Sequence, residues 1–481
     1  VSQYELVIGF EVHTELKTRT KVWCGCSTSF GAPPNTNVCP ICLGMPGTLP
    51  VLNREAFLLS LKTALALHCD VPDIIHFDRK NYYYPDLPKN YQISQNDRFL
   101  GTGGYLEIDL GGGTRKRIGI DNIHLEEDAG KNIHPEDAAV DYSLVDLNRA
   151  GTPLLEIVTR PEIRTKDEAA AFMAAMRSFL QYLGVSDCKM QEGSLRFELN
   201  ISVRPKGSDK LGRKVEVKNL NSVSVVLKCI DAEFARQVEV LEAGGTVASE
   251  TRLWDEARME TRAMRSKETA NDYRYFPDPD LVEYTVSEEL RREVAATIPE
   301  LPLARRQRFI DQLGLPEYDA TVLTAHIATA NYFERALAAH PNAKGISNWI
   351  MTEALAWVNR RGEDTTIDDF PVRAEAIAEL VRLIDDGTIT GKIAKQVFPL
   401  MVETGDFPAA LVEKHGLKPI DDSAIDPVID EVIAEMAKVA DEVRAGKMKA
   451  MGALMGAVMR KTGGKANPAT VTERIKARLG V

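Results

Sequence analysis

Two kinds of residue cluster in this sequence could carry chemistry: thiols in a short N-terminal segment and carboxylates on runs with strand-like alternation. Cys24-Gly25-Cys26 and Cys39-Pro40-Ile41-Cys42 put thiols in pairs on two short knuckles. Two such pairs can close a tetrahedron around a soft, redox-inert ion, as in structural zinc, with no position left for a reacting water. A metal-free reduced loop and a redox pair are the other readings of this spacing. Cys69, Cys188 and Cys229 read as small core residues. The odd, widely spaced set of 7 cysteines argues against a disulfide framework.

The carboxylates are more dispersed. Leu6, Ile8, Phe10 and Val12 alternate with Glu11, His13 and Glu15, so period two sends the three polar residues to one strand face. Plain solvent exposure explains that face as simply as a site does. Leu154 to Val158 is an apolar run of the kind buried on both faces, with Glu156 inside it. A buried carboxylate must be neutralised, hold a metal or pair with a cation such as Arg149. Glu126-Glu127-Asp128 ends a strand-like run from Arg117 to Leu125. If alternation holds, His124, Glu126 and Asp128 share a face and Glu127 sides with Ile123 and Leu125, but the turn at Ala129-Gly130 can reset that register. Gathered carboxylates suit Mg²⁺, which keeps waters and binds substrate phosphates. His13 is a poor partner for so hard an ion and points equally to Mn²⁺ or to hydrogen bonding. No G-x-x-x-x-G-K-[ST] occurs, which argues against a P-loop ATPase. The aromatic stretches Asn81 to Asp86 and Asp272 to Asp278 could stack a base or simply pack.

These residues need elements to position them. From Tyr4 to about Tyr284, short alternating runs are separated by turn clusters such as Gly101 to Gly104 and Gly111 to Gly113. Arg54 to His68 and Lys166 to Leu183 are helical by period, the second with Ala169, Phe172, Met173, Met176, Phe179 and Leu180 on one stripe. A sheet flanked by helices is the simplest packing. After Ser287, a plausible N-cap, the pattern is helical only, and Ser347-Asn348-Trp349 opens a run ending near Asn359. The expected fold is α+β in three domains: mixed α/β over 1–290, all-α over 291–405 and a small all-α tail over 406–481.

A net charge of -11 is wrong for a nucleic-acid binder unless charge is local. In the tail, Asp426, Asp430, Glu431, Glu435, Asp441 and Glu442 predict one acidic helix. Lys447, Lys449, Arg460, Lys461, Lys465, Arg474, Lys476 and Arg478 make the end basic. That end is either a phosphate-contacting surface or a solvated face. No run approaches the ~20 apolar residues of a membrane helix, and the first residues lack a signal-peptide pattern, so the expected location is the cytoplasm.

Across essentially its whole length the chain resembles the GatB family, the B subunits of glutamyl/aspartyl-tRNA amidotransferases. The matching stretches include Val7 to His13, Phe77 to Tyr82, Tyr91 to Gln95, His124 to Lys131, Asp146 to Pro153, Val217 to Ser222 and Asp272 to Leu281. The resemblance implies a kinase-like cradle domain, a helical domain and a YqeY-like, tRNA-binding tail. It implies a carbon–nitrogen ligase that phosphorylates the side chain of misacylated Glu-tRNA(Gln) or Asp-tRNA(Asn) with ATP. Ammonia would come from a glutamine-hydrolysing amidase partner, and a small third partner would complete a heterotrimer. Carried over, the family's Mg²⁺ positions are His13, Glu127 and Glu156, with Glu11 and Glu126 beside them. The family thus favours Glu127 where alternation favours Glu126, and Glu127 is the expectation adopted. The four loop cysteines place the chain with the zinc-bearing members, and Lys447, Lys449, Arg460, Lys461 and Lys465 are the expected tRNA contacts. The chain shows no convincing nucleophile-base pair for glutamine hydrolysis, which fits an external ammonia source. The competing expectations are a non-enzymatic tRNA-holding scaffold and, more weakly, a free-standing carboxylate kinase.

Overall fold

The computed structural model describes residues 3–133, 142–264, 273–362, 365–417, 422–463, 466 and 468–481. Lys465 and Asp272 therefore lie outside the described residues. The chain divides into two compact units, Val1–Leu301 and Pro302–Val481.

The first unit is built on a nine-stranded sheet. Its centre is the long strand Tyr4–Glu15, paired antiparallel with Leu195–Pro205 on one side and Pro153–Thr159 on the other. Arg115–Glu127 continues the sheet beyond Pro153–Thr159, and Val215–Lys218 beyond Leu195–Pro205. Among these pairings only Val215–Lys218 with Glu250–Asp255 is parallel. Gly111, Gly112 and Gly113 all have positive φ in the hairpin that joins Tyr105–Asp109 to Arg115–Glu127, a conformation open to glycine at little cost.

The two faces of this sheet differ in kind, and strand alternation causes the difference. Ile8, Phe10, Val12, Ile123, Leu125, Leu155, Ile157, Phe197, Leu199 and Val217 form the apolar face and join one buried cluster with helices Arg54–Ala66, Lys166–Leu183 and Val223–Glu242. Phe10 stacks on Phe172 with ring centroids 5.5 Å apart and meets Phe197 edge-on at 5.9 Å. Helix Lys166–Leu183 is capped by Thr165 at its start and by Gly184 in the left-handed region at its end, so both limits follow from local sequence. The polar face is covered by a small three-stranded sheet of Asp78–Asn81, Tyr91–Ser94 and Phe276–Pro277.

Ser287 caps helix Glu288–Ala295, whose Leu290 and Val294 pack on the first unit's core. The compact unit thus runs past residue 290, to Leu301. Among the described residues every regular element after Thr285 is helical. Ser347 does not open a helix: Asn342 does, its side chain accepting from Gly345 N at 2.8 Å, while Ser347 is buried and donates to Asp319 at 3.0 Å. The second unit holds two separate apolar cores, one from Phe309 to Val412 and one from Ile425 to Leu479. Helix Pro408–Lys414 joins the first of these, so the tail's own core begins later than residue 406. The acidic stretch is two helices, Asp422–Glu435 and Ala437–Arg444, broken at Met436.

Candidate active site and cysteine centre

The polar sheet face and its cover enclose a cavity of about 300 Å³. Cross-strand register places His13 opposite Glu156 and Arg196, and Glu156 opposite His124, so these four side chains form a row. His13 Nε2 and His124 Nε2 stand 3.1 and 3.2 Å from Glu156 Oε2. The cation partners of the buried carboxylate are therefore imidazoles. Arg149 is engaged elsewhere, with Asp128 at 3.0 Å. Burial opposes charge on His13, but the Glu156 carboxylate overrides it and pushes the imidazole up to about 9. His124 is raised by the same carboxylate against the same burial. Burial favours the neutral acid at Glu156, yet the two imidazoles hold it well below the usual carboxylate range.

Ligand-type atoms of His13, Glu126 and Glu156 all lie within 4.8 Å of one another. Glu126 takes a hydrogen bond from Ser94 Oγ at 3.0 Å and is 3.7 Å from His124 Nε2. Glu127, the carboxylate expected beside His13 and Glu156, does not join this group. Alternation holds to the end of Arg115–Glu127, so Glu127 falls on the side of Ile123 and Leu125. There its carboxylate binds Lys89 Nζ and accepts from Ile93 N at 2.9 Å, beside the cysteine loop.

Glu11 belongs to a second group in the same cavity, with Glu198 and Glu216, again within 4.8 Å. Burial and the charge of Glu156 both raise the Glu11 carboxyl above its ordinary value, while Asn200 Nδ2 donates to it at 2.9 Å. Lys80, Arg196 and Lys218 supply positive charge to the cavity, and Tyr82 and Tyr273 line it with ring centroids 6.0 Å apart. Lys80 Nζ lies 5.2 Å from the Tyr273 ring, and its pKa is raised because Glu126 and other nearby groups outweigh burial. Both aromatic stretches thus meet at the cavity. Arg196, Glu198, Glu216 and Lys218 escaped the sequence reading, although Leu195, Phe197, Leu199 and Ile201 alternate with Arg196, Glu198 and Asn200 as clearly as the first strand does.

Sulfurs of Cys24, Cys26, Cys39 and Cys42 come within 4.8 Å of one another, with 3.9 Å between those of Cys39 and Cys42. Sulfurs about 2.3 Å from a tetrahedral ion stand about 3.8 Å apart, so the donor set fits zinc. Cys24 donating to Cys42 is the largest influence lowering the Cys42 thiol, and the fully buried Lys21, with Nζ at 3.7 Å, adds to it. In the tail, Lys461 pairs with Glu431 and Glu435, and Arg474 and Arg478 pair with Asp426 and Asp430. Lys449 and Arg460 are exposed, as is Lys447, whose Nζ is 3.9 Å from Glu442. No described helix is long and apolar enough to cross a membrane.

Comparison with known proteins agrees with this geometry. Residues 6–292 match the GatB/GatE catalytic domain and residues 331–479 match the GatB domain. The chain is 50% identical over 479 residues to the B subunit of the aspartyl/glutamyl-tRNA(Asn/Gln) amidotransferase of Carboxydothermus hydrogenoformans, covering 99% of each chain. It is 52% identical over 478 residues to the protein of the same name from Moorella thermoacetica, covering 99% of this chain and 100% of that one. The Geotalea daltonii protein of that name is 50% identical, with 99% of each chain covered. A cavity lined by carboxylates, imidazoles and cations, on the sheet that the catalytic-domain match spans, accords with a single conclusion: the chain belongs to the GatB family.

Proposed function

We propose that the chain is the component of a tRNA-dependent amidotransferase that activates the side-chain carboxylate of misacylated Glu-tRNA(Gln) or Asp-tRNA(Asn) and amidates it. ATP transfers its terminal phosphoryl group to a carboxylate oxygen, releasing ADP. Ammonia then attacks the carbonyl carbon, and the C–O bond to phosphate breaks. Ammonia arrives from a glutamine-hydrolysing amidase partner, with a small third partner completing a heterotrimer. The convergence of His13, Glu126, Glu156, Glu11, Glu198 and Glu216 with three cations in one cavity carries this reading.

His13, Glu126 and Glu156 would hold one divalent cation, and the all-oxygen group Glu11, Glu198 and Glu216 suits Mg²⁺ better by hardness. Such an ion supplies neutralisation of phosphoryl charge. The chain's own residues do the positioning. His124 fixes the Glu156 carboxylate, Lys80, Arg196 and Lys218 receive anionic oxygens, and the Tyr82 and Tyr273 rings wall the cavity against water. The cysteine loop would bind structural zinc, with no open position for chemistry because all four are filled by sulfur. Lys447, Lys449 and Arg460 would meet tRNA phosphates.

One observation favours a scaffold instead: Glu156 is already balanced by His13 and His124. ATP cleavage by the reconstituted complex decides between the readings. It should require Mg²⁺ and misacylated tRNA and fall in Glu156→Gln with the fold intact. Unchanged cleavage in that variant would leave Glu156 as a structural ion pair.

A further inference from the structure

The geometry points to Lys21 as the charge partner of the cysteine centre: its ammonium donates to the Cys42 sulfur and thereby sets how tightly the loop keeps a thiophilic metal ion. Lys21 lies outside the four sulfurs, and its role rests on the zinc reading of the loop.

Lys21 is 0% exposed, a rare setting for a lysine that is not paired. Its Nζ donates to Cys42 Sγ at 3.7 Å and to Leu147 O at 3.3 Å. Among the described residues it forms no ion pair with a carboxylate. Glu127 lines the same cavity, but Lys89 Nζ and Ile93 N engage it. Burying an ammonium without an anion is costly. Of its two acceptors, only the sulfur can carry negative charge.

The need is mutual. Four thiolates carry more negative charge than one Zn²⁺ neutralises, so donors around the sulfurs must meet the excess. Cys42 Sγ accepts from Cys39 N at 3.1 Å as well as from Lys21. A backbone amide offers only a partial charge, whereas Lys21 brings a whole one. Lys21 also touches both knuckles, its N donating to Cys26 O at 3.0 Å while its side chain reaches Cys42. Its stem runs beside Gly151, where an added Cβ would stand 3.5 Å from Lys21 Cδ and 3.7 Å from Cys42 Cβ. The bond to Leu147 O fastens the ammonium to the segment ahead of strand Pro153–Thr159, so the donor is aimed before an ion arrives. Lys21 is thus a positioning residue for the metal centre.

The test uses full-length wild type, Lys21→Met and Lys21→Arg, each loaded with Co²⁺ and then titrated with Zn²⁺ against a chelating competitor. Loss of sulfur-to-cobalt charge-transfer absorption reports the loop alone, because the other candidate ligand groups among the described residues hold only nitrogen and oxygen. Zinc affinity should fall about ten- to a hundredfold in Lys21→Met. Lys21→Arg keeps the charge and should recover part of that loss. The charge-transfer band should move to longer wavelength in Lys21→Met, since a sulfur with one donor fewer gives up electron density more readily. A lysine that only filled space would leave the band unmoved. If Lys21→Met fails to fold, Lys21→Arg decides, because its planar fork changes the donor geometry and should shift the band by itself. Wild-type affinity and wild-type band position in the folded variants would overturn the role of Lys21 and leave the zinc reading standing. Absence of the charge-transfer band in cobalt-treated wild type would overturn the zinc reading and the role of Lys21 with it.

Discussion

Glu126 and Glu127 are adjacent in sequence and serve opposite faces of the same strand. Glu126 accepts from Ser94 and joins His13 and Glu156, whereas Glu127 binds Lys89 and the backbone of Ile93. A one-residue step changes the face, and with it the chemistry available to each carboxylate.

The pair therefore gives a matched test. Glu126→Gln keeps volume and removes charge next to the reacting groups, so Mg²⁺- and tRNA-dependent ATP cleavage should fall about a hundredfold, or about 3 kcal/mol. Glu127→Gln should show mainly as local loosening around Lys89, with a smaller loss of cleavage. Turnover and thermal stability, measured on the same preparations, distinguish the two. The reverse ranking would return the ligand role to Glu127.

This pair also shows how far the sequence could be read. Alternation alone put Glu126 on the face of His124, because the strand's register shift lies before Asn122 and the stretch after it has only two faces. Resemblance drew the assignment to Glu127. The polarity of the first strand and the limits of helix Lys166–Leu183 were legible because period and caps are local signals. The partners of Glu156 were not. His13 is 143 residues away from it, and only the register of three strands brings His13, Glu156 and His124 into one row. The alternating strand Leu195–Pro205 offered a readable signal for Arg196 and Glu198 that the sequence reading passed over.

Protein purified without chelator should contain zinc in the cysteine loop. Cys39→Ser removes one sulfur of the tetrahedron, so metal bound there should be lost and the loop should become more sensitive to proteolysis. ATP cleavage should persist, because the loop sulfurs do not line the cavity. Elemental analysis with limited proteolysis checks this, and well-folded wild type lacking loop-bound metal would contradict it.

In the tail, ion pairs divide the basic residues by role. Lys461, Arg474 and Arg478 balance the acidic helix Asp422–Glu435, and Lys449 and Arg460 are exposed. Replacing Lys449 and Arg460 together by Glu should make the log-log salt dependence of tRNA binding shallower by about 1.5 to 2, at slightly under one unit per phosphate. Lys461→Ala should loosen the tail while changing that slope less. Binding titrations over a salt series would reveal the difference, and an unchanged slope in the double variant would mean that the exposed pair touches no phosphate.

The buried Glu233 on helix Val223–Glu242 makes a further prediction, about stability. It accepts from Arg236 Nε and Nη2 at 2.8 Å and from Gln237 Nε2 at 2.9 Å, binds Thr261, and lies 3.4 Å from Arg252 Nε. The helix is thereby tied to strands Glu250–Asp255 and Glu260–Ala263 at the edge of the main sheet. Burial raises the Glu233 carboxyl, but donation from Arg236, Gln237 and Thr261 outweighs it and lowers the pKa. A carboxyl with a depressed folded-state pKa contributes stability that is complete above its unfolded value, about 4.3, and is lost as pH falls through the folded value. Glu233→Gln leaves the Arg236 guanidinium without its anion while Arg252 keeps Glu250, at a cost of about 3 kcal/mol, the low end for a broken buried pair because Arg236 is partly open to solvent. Since a chain of two units need not unfold in one step, amide hydrogen exchange in helix Val223–Glu242 and its two strands is the appropriate measurement. Protection there should drop in the variant at pH 7, and the gap from wild type should narrow as both are acidified below about pH 4. A gap that stayed constant with pH would show that Glu233 acts through packing and neutral hydrogen bonds rather than through its charge.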